Sequence, residues 1–376
     1  MSVPPPAPAA PREAVRDKPA PLGVRLDVAA APPQRASVAP LDGTYTAARS
    51  CQGDVAALLD LARELGRTVP LPQRGKTLDR WQSLATLGAA DLTAARIIEP
   101  HLDALAILAD AGREELHTDG STWGVYAAQG PGGQLLATPA GGGWQLDGDK
   151  PWCSLADSLS DALIVAQTEN GSQLFAIDLH SEGVTVSGPP WTALGLPQVP
   201  SRRLSLAGVP AVPVGGPGWY VQRPGFAWGG AGVAAIWQGA ATSLARRLLQ
   251  HCRSRKPDQI ALWHLGRADQ ALWAARSVFQ AAAAIADSTG APAAEGEGQA
   301  AIVAGRVRAT VVCTVETVNS VAAHGMGPEP LAFEPEHAQR VADLELYLRQ
   351  DHAERSVAAH GATILAAAAE TGSVPW

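Results

Sequence analysis

The stretch LYLRQDHAERSVAAHG, residues 346–361, concentrates side chains that can move a proton. Asp351, His352 and Glu354 could each act as a general acid or base. The neighbouring positions upstream are mostly apolar, and an apolar surrounding favours proton uptake by a carboxylate because burial penalises its charged form. The alternative is structural, since Asp351 and Arg355 are four residues apart, the spacing of an ion pair on a helix surface.

The composition of the 376-residue chain argues against several classes of function. A net charge of −7 does not suit a nucleic-acid or anionic-membrane surface. The cysteines and the nine histidines are dispersed without metal-ligand spacing, which predicts no metal site and reduced thiols, as in a cytoplasmic protein. No apolar run approaches the about 18 residues of a membrane span, and residues 1–23 lack the pattern of a signal peptide.

The arrangement of apolar residues predicts an α+β fold in three parts behind an amino-terminal arm. Residues 1–45 are rich in Pro and Ala and predict a flexible arm, because they offer little large apolar surface to bury. Residues 46–117 predict a helical domain. Residues 118–228 are short segments joined too closely for crossover helices, which predicts a middle domain of antiparallel strands. Residues 229–376 predict a four-helix bundle.

The carboxyl-terminal part contains four long segments with helical periodicity and short joins. The Val-rich third segment would also suit a strand, but its length and period favour a helix. The fourth helix is expected to be continuous, which would place Leu344, Leu348, Asp351 and Arg355 on one inward stripe. The four segments are 232–252, 261–288, 300–323 and 336–370.

Segments in this order resemble the acyl-CoA dehydrogenase family over about residues 52–376. GWQLDGDKPWCSLADSLSDALIVAQ (143–167) is similar to the middle-domain signature Gly-x-Lys-x-Trp/Tyr-Ile-Thr-x-Gly, which lies beside the flavin in that family. WTALGLPQVPSRRLSLAGVPAVPV (191–214) resembles the element that follows, and RPGFAWGGAGVAAIWQGAATSLARRLL (223–249) resembles the beginning of the bundle. GMGPEPLAFEPEHAQRVADLELYLRQDHAERS (325–356) resembles the last segment, with Asp343 at the Asp of its Arg-Asp step.

The resemblance implies an FAD enzyme with an α/β/α subunit that forms a homodimer or homotetramer around a shared cofactor. It implies α,β-dehydrogenation of a small-molecule acyl substrate, carried in the family as a CoA thioester. In that reaction a carboxylate takes the α proton while a hydride passes from the β carbon to flavin N5. The resemblance leaves the electron acceptor open.

Carried over by position, the resemblance implies flavin contacts in the middle domain. Trp152 and Ser154 match the aromatic and hydroxyl positions that flank the flavin ring, as an aromatic plane and a hydrogen-bonding hydroxyl could do; a core Trp and a turn Ser are the alternative. Ala128 and Gln129 stand within the position of the family's Thr-Glu-Pro, where backbone amides could meet the pyrimidine end. The missing Thr-Glu-Pro and the short loop after it leave a non-CoA substrate open.

Three further residues match positions where the family's bundle reaches the partner subunit's FAD. Gly325 and Gly327 occupy the family's Gly-Gly-x-Gly turn, whose backbone approaches the phosphates; a glycine cap on a helix end is the alternative. Arg255 matches the Arg that reaches the same cofactor, although the expected Phe-Gly does not follow it.

The same alignment places Asp351 at the family's catalytic Glu and His352 in the adjacent Gly-Thr. Asp351 is the candidate base, with His352 or Glu354 and a purely structural ion-pair cluster as alternatives. Three hypotheses therefore stay open. They are an FAD-dependent acyl-CoA dehydrogenase, a flavin monooxygenase or oxidase of the same fold that acts on a non-CoA substrate, and an inactive scaffold subunit.

Overall fold

A computed structural model describes residues 22–28, 35–130, 134–288 and 297–372. Helices come first, strands follow, and long helices complete the described chain, as the sequence predicts. The helices before the strands are α1 (Arg35–Ser50), α2 (Val55–Thr68), α3 (Thr77–Ala90) and α4 (Leu92–Ala111). The strands are β1 (Trp123–Tyr126), β2 (Leu135–Ala140), β3 (Gly143–Ser154), β4 (Asp161–Thr168), β5 (Gly171–Asp178), β6 (Val184–Ser187) and β7 (Ser201–Val214). The later helices are α5 (Trp219–Gln222), α6 (Pro224–Ser254), α7 (Gln259–Ser288), α8 (Glu297–Met326), α9 (Glu329–Phe333), α10 (Pro335–Leu348) and α11 (Glu354–Thr371). Within the described residues, no helix combines the length and the hydropathy that a membrane span requires.

The expectation of a flexible arm is wrong for residues 22–28, because they dock on α3. The Val24 N–H donates to Thr86 Oγ1 (2.9 Å) and the Leu26 N–H donates to Gln82 Oε1 (3.1 Å). Both apolar side chains are buried, with 3% of Val24 and 0% of Leu26 exposed. Two buried apolar side chains of the segment and two hydrogen-bond acceptors on α3 hold residues 22–28 in place, although their composition predicts flexibility.

The helix α1 occupies the end of the same expected arm, from residue 35 onward. Residues 1–21 and 29–34 of that expectation lie outside the described residues.

The strands close into a ring of pairings rather than forming an entirely antiparallel sheet. β2 pairs with β3, β3 with β7, β7 with β5 and β5 with β4, and β4 returns to β2 through the pair Leu136 and Gln167. The predicted hairpin is present, since β4 and β5 are joined by two residues and pair in antiparallel register. β1 and β2 pair with β4 in parallel, which corrects the expectation. The β2–β3 hairpin lies between β1 and β4 in sequence and supplies the long connection that a parallel pair needs.

Helices α3 and α6 cross so closely that their backbones touch through glycine. A Cβ at Gly239 would collide with the Ala85 carbonyl oxygen, and a Cβ at Gly88 would collide with the Ile236 carbonyl oxygen. Only glycine permits such an approach, because any side chain would hold the two backbones apart. The contact fixes the amino-terminal helices against the bundle.

The expected continuous fourth bundle helix is broken after Leu348. α10 ends there and α11 begins at Glu354. The Asp351 carboxylate accepts a hydrogen bond from the Ala353 N–H (2.8 Å), a turn in which an Asp side chain replaces helical backbone bonding. Ala353 has φ +49°, a left-handed value outside helical geometry. Helical periodicity on both sides concealed this turn.

Candidate active site

Asp351 lies in the turn between α10 and α11, so the expected inward stripe on one helix does not exist. Its side chain is nevertheless buried, with 8% of the residue exposed. The Asp351 carboxylate forms an ion pair with Arg308 on α8, at 3.4 Å. The pairing with Arg355 that the spacing suggested is wrong, since Arg355 is exposed at the start of α11 and His352 is exposed beside it.

Arg308 connects this turn to the first bundle helix. Its guanidinium donates to the Gly230 carbonyl oxygen on α6 (2.9 Å) and lies 5.0 Å from the centre of the Trp237 ring. Burial lowers the pKa of Arg308, and the Asp351 charge opposes that shift. A cation over an aromatic face gains electrostatic attraction that is larger where water is excluded.

A second arginine connects the bundle to the strands. Arg96 on α4 donates to Ser154 Oγ at the end of β3 (3.1 Å), and its guanidinium lies 5.6 Å from the centre of the Tyr347 ring on α10. The Tyr347 ring meets the Trp237 ring edge to face, with 6.1 Å between centres. Ser154 Oγ also forms a hydrogen bond with Ser201 Oγ on β7 (2.7 Å). A chain of contacts therefore runs from the strands through the bundle to the turn between α10 and α11.

We refer to these side chains together as the bridging cluster. They come from α4, β3, α6, α8, α10 and the turn after α10, so they include all three regions of the fold. Two residues predicted from the sequence belong to this cluster, at its two ends, and the other four were missed. The members of the bridging cluster are Arg96, Ser154, Trp237, Arg308, Tyr347 and Asp351.

The Tyr347 hydroxyl is buried and has no hydrogen-bond partner among the described residues. Burial raises the pKa of Tyr347, and the charge of Glu99 adds to that effect. Buried polar groups are normally satisfied, so this hydroxyl is a position at which a ligand or a water could form a hydrogen bond.

Glu99 on α4 is a buried titratable group whose charge acts on Tyr347. Burial raises its pKa to about 7, with the neighbouring Asp103 charge as the next cause. Asp103 lies one helical turn further on, where its carboxylate approaches Gly229 of α6. Glu99 can therefore hold or release a proton near neutral pH. Sequence reasoning missed Glu99, although an acid at this position of a largely apolar helix was the available signal.

The predicted flavin contacts around β3 lie on two sides of the strand. Trp152 is 57% exposed and has φ +62°, whereas Ser154 is 7% exposed inside the cluster. Ala128 and Gln129 are exposed and line a cleft of about 300 Å³ beside β3. Gly130 packs against Trp152, since a Cβ there would lie 3.2 Å from Trp152 Nε1.

The three residues predicted to reach a partner's cofactor lie at the other end of the bundle. Gly325 in the last turn of α8 faces Leu248 of α6, at 2.9 Å from an ideal Cβ to Leu248 Cδ1. Arg308 and Gly325 are separated by 17 positions of one helix, or roughly 25 Å. Gly327 has φ +70° and donates to the Ala323 carbonyl oxygen (2.9 Å), which is the geometry of a helix cap. Arg255 is exposed at the end of α6.

Comparison with known proteins identifies the architecture. No protein-family model and no curated protein sequence matches the chain. Among solved structures, KijD3 in complex with FMN and dTDP-3-amino-2,3,6-trideoxy-4-keto-3-methyl-D-glucose superposes with a TM-score of 0.71, at 19% identity over 85% of this chain and 90% of that chain. FMN-bound TdsC from Paenibacillus sp. A11-2, a dibenzothiophene monooxygenase, gives 0.71 at 16% identity over 85% and 96%. Butyryl-CoA dehydrogenase from Megasphaera elsdenii gives 0.67 at 17% identity over 77% and 82%.

The chain has the acyl-CoA dehydrogenase fold. The resemblance drawn from the order of four degenerate sequence segments is thereby confirmed for the architecture. Within this acyl-CoA dehydrogenase fold, the bridging cluster lies where the helical and strand regions meet.

Proposed function

We propose that the protein is a flavin-dependent oxidoreductase whose reaction takes place at the bridging cluster. The observation that carries this proposal is the unpartnered, buried Tyr347 hydroxyl in a path of arginine and aromatic side chains from Ser154 to Asp351. The flavin in the KijD3 and TdsC structures, which share the fold, supports the choice of cofactor class. FAD is the cofactor that the sequence resemblance implies, and FMN is the one named in those two structures.

The residues around β3 fit a flavin in part. Trp152 offers an exposed aromatic plane on which a flat ring could pack. The Ser154 hydroxyl accepts from Arg96 and pairs with Ser201, which leaves it one further hydrogen-bonding position. Ala128 and Gln129 could supply backbone groups only. A bound flavin would supply a carrier that accepts or donates a hydride.

The first candidate reaction is α,β-dehydrogenation of an acyl-CoA thioester with Asp351 as the base. Both Asp351 oxygens already have partners, Arg308 for one and the Ala353 N–H for the other. Taking up a substrate proton would neutralise the carboxylate and so remove the charge that pairs with Arg308. The structural role of Asp351 in the turn makes this candidate the less supported one.

The second candidate, which we favour, is oxidation of a small non-CoA substrate with molecular oxygen, by a monooxygenase or an oxidase. It uses Glu99 and Tyr347 as the groups that hold and pass a proton, because Glu99 is poised near neutral pH and the Tyr347 hydroxyl is unpartnered. Arg96 and Arg308 would orient Tyr347 and Trp237 and keep water from the site. TdsC, a monooxygenase with this fold, supports the class of reaction.

Absorption spectroscopy tests the cofactor and an oxygen electrode tests the reaction. We expect flavin absorption to remain with the desalted protein after incubation with FAD or FMN. Reduction of the bound flavin followed by substrate-dependent oxygen uptake would support the favoured candidate, and bleaching by acyl-CoA without oxygen would support dehydrogenation. A folded protein that retains neither flavin would contradict the proposal and favour the inactive scaffold.

A further inference from the structure

Lys150 on β3 is a buried cation without a carboxylate partner. Only 4% of the residue is exposed, and its ammonium donates to the Val165 carbonyl oxygen (2.8 Å). Among the described residues, no carboxylate lies within ion-pair distance of it. Burial lowers the pKa of Lys150 to about 8. A buried ammonium is costly unless it is paired, so its retention calls for a partner.

The Lys150 side chain lines the cleft of about 300 Å³ beside β3. Most of the polar groups around it are neutral and able to donate hydrogen bonds. One amide side chain comes from each of Gln129, Gln134 and Gln167, whereas the Ser172 hydroxyl already donates to Gln167 Oε1 (3.1 Å). A cation with surrounding amide donors is complementary to an anion rather than to a second cation.

The charged groups near this cleft do not neutralise Lys150. The Asp149 carboxylate also lines the cleft, but it accepts from Ser205 Oγ (2.6 Å) and pairs with Arg203 on β7 (3.7 Å). The Cys153 thiol on β3 is neutral at physiological pH, since burial raises its pKa to about 12. The segments before β2, within β4 and at the start of β5 present the neutral glutamines and the serine already named.

We propose that this cleft binds a small oxyanion, a carboxylate or a phosphate group, with Lys150 as its charge partner. The Val165 carbonyl oxygen occupies one of the three N–H donors of Lys150, so two remain for a ligand. A neutral hydrogen-bond donor would be enough to satisfy the Val165 carbonyl oxygen. The Lys150 ammonium supplies a positive charge in addition, and an anion would pair with that charge. The cleft shares Ala128 and Gln129 with the proposed flavin contacts, whereas Lys150, the charge partner of the anion, is not one of those contacts.

The pH dependence of binding follows from the titration of Lys150. The anion binds to the charged form of Lys150. Lys150 is charged below about pH 8, whereas above that pH it must first take up a proton before the anion can bind. Affinity is therefore expected to fall as the pH rises through 8. At pH 9.5 the reduction would be about 30-fold relative to neutral pH, since each pH unit above the pKa costs a factor of about ten.

Equilibrium dialysis with radiolabelled acetate and phosphate, at constant ionic strength, tests the proposal. We expect saturable binding at one site at pH 7.0, and a loss of about 30-fold for acetate at pH 9.5, where acetate itself does not titrate. Comparing the two probes tells whether a carboxylate or a phosphate is preferred. Lys150→Met is expected to bind the anion at least tenfold more weakly than the wild type, and Lys150→Arg is expected to retain binding. The exposed control Lys256→Met is expected to bind the anion as the wild type does.

Absence of saturable binding in the wild type, or unchanged binding in a folded Lys150→Met, would overturn the proposal. If Lys150→Met fails to fold, reductive methylation of the wild type tests the same proposal, because a bound anion would protect Lys150 from methylation. The chain contains four lysines, Lys18, Lys76, Lys150 and Lys256, so mass spectrometry can follow each one. We expect acetate or phosphate, but not chloride, to slow methylation of Lys150 at least fivefold relative to Lys256. Equal effects on both lysines would contradict a site at Lys150.

Discussion

The Arg308 guanidinium joins Asp351 to Trp237. It lies 3.4 Å from the Asp351 carboxylate and 5.0 Å from the centre of the Trp237 ring. Since Asp351 also caps the Ala353 N–H, one carboxylate both shapes the turn between α10 and α11 and neutralises an arginine of the bundle interior. Removing that carboxylate would leave a largely buried cation without its counter-charge.

Replacing Asp351 separates its structural role from a catalytic one. Asp351→Ala is expected to lower the free energy of unfolding by about 2 kcal/mol, because it removes both the ion pair and the turn contact. Asp351→Asn should cost less, since the amide oxygen can still accept from the Ala353 N–H. Urea denaturation of both variants measures the difference, and Arg355→Ala is the control with no expected change. If Asp351 is also the base, Asp351→Asn would in addition abolish substrate-driven flavin reduction.

Ser154 connects the strands to the bridging cluster and is a predicted flavin contact. Ser154→Ala leaves Arg96 and Ser201 each without a buried partner, so we expect a loss of about 1–2 kcal/mol in unfolding free energy. We also expect flavin affinity to fall about tenfold, the equivalent of one hydrogen bond to the ligand. Denaturation and flavin titration by fluorescence measure the two effects. The exposed Ser158→Ala should change neither, and unaltered flavin affinity in Ser154→Ala would remove this residue from the proposed site.

His101 on α4 predicts a loss of stability in acid. Burial lowers its pKa from 6.5 to about 4, and its Nδ1 accepts from the Trp123 N–H (3.3 Å). The unfolded chain takes up this proton near pH 6.5 and the folded chain only near pH 4, so stability falls as the pH drops between these values. The contribution is about 3 kcal/mol in full. Urea denaturation should show that the free energy of unfolding changes less between pH 7 and pH 4.5 in His101→Gln than in the wild type. Equal changes in the two proteins would contradict the predicted role of His101.

Glu99 predicts the opposite dependence. Its folded pKa of about 7 lies above its ordinary value of 4.5, so its contribution to stability is complete below pH 4.5 and is lost as the pH rises through 7. Glu99→Gln keeps a neutral side chain at every pH. We therefore expect the variant to gain stability over the wild type between pH 5 and pH 8, on the order of 2 kcal/mol. A constant difference across this range, measured by urea denaturation, would show that Glu99 titrates normally.

Replacement of glycine by alanine is expected to have opposite effects at Gly239, in the contact between α3 and α6, and at Gly266, which lies outside that contact. Gly239→Ala would force α6 away from the Ala85 carbonyl oxygen and should cost about 3 kcal/mol or more. Gly266 lies exposed on α7 with open space around it, so Gly266→Ala should stabilise by up to about 1 kcal/mol through helix propensity. Thermal denaturation of the two variants checks the sign of each change.

The order of helical and strand regions could be predicted because it depends on local periodicity. Apolar spacing along the helices and the close turn between β4 and β5 are visible within a few residues of sequence. The break at Asp351 was not visible in this way, because a single Asp that accepts from the Ala353 N–H ends α10 without Gly or Pro. The parallel pairing of β1 with β4 was missed for a related reason, since it joins segments 38 positions apart in register.

The candidate site could be predicted only at its ends. Ser154 and Asp351 came from resemblance to a family, whereas Arg96 and Arg308 are single arginines on long helices and have no motif of their own. Their importance arises from tertiary contacts with Tyr347 and Trp237, which bring four separate helices together. No local pattern specifies such contacts. Polar residues on otherwise apolar helices were the signal that could have singled them out.

The docking of residues 22–28 has a consequence for how the chain can be shortened. Leu26 belongs to the interior, and Arg246 of α6 donates to the carbonyl oxygens of Leu22 and Gly23 (2.7 and 2.9 Å). An amino-terminal deletion guided by Pro and Ala content would remove residues up to 45 and open the apolar surface of α3 to solvent. Such a truncated chain would expose an apolar surface patch and would tend to aggregate during purification. A cut made before Leu22 would keep these interior contacts intact.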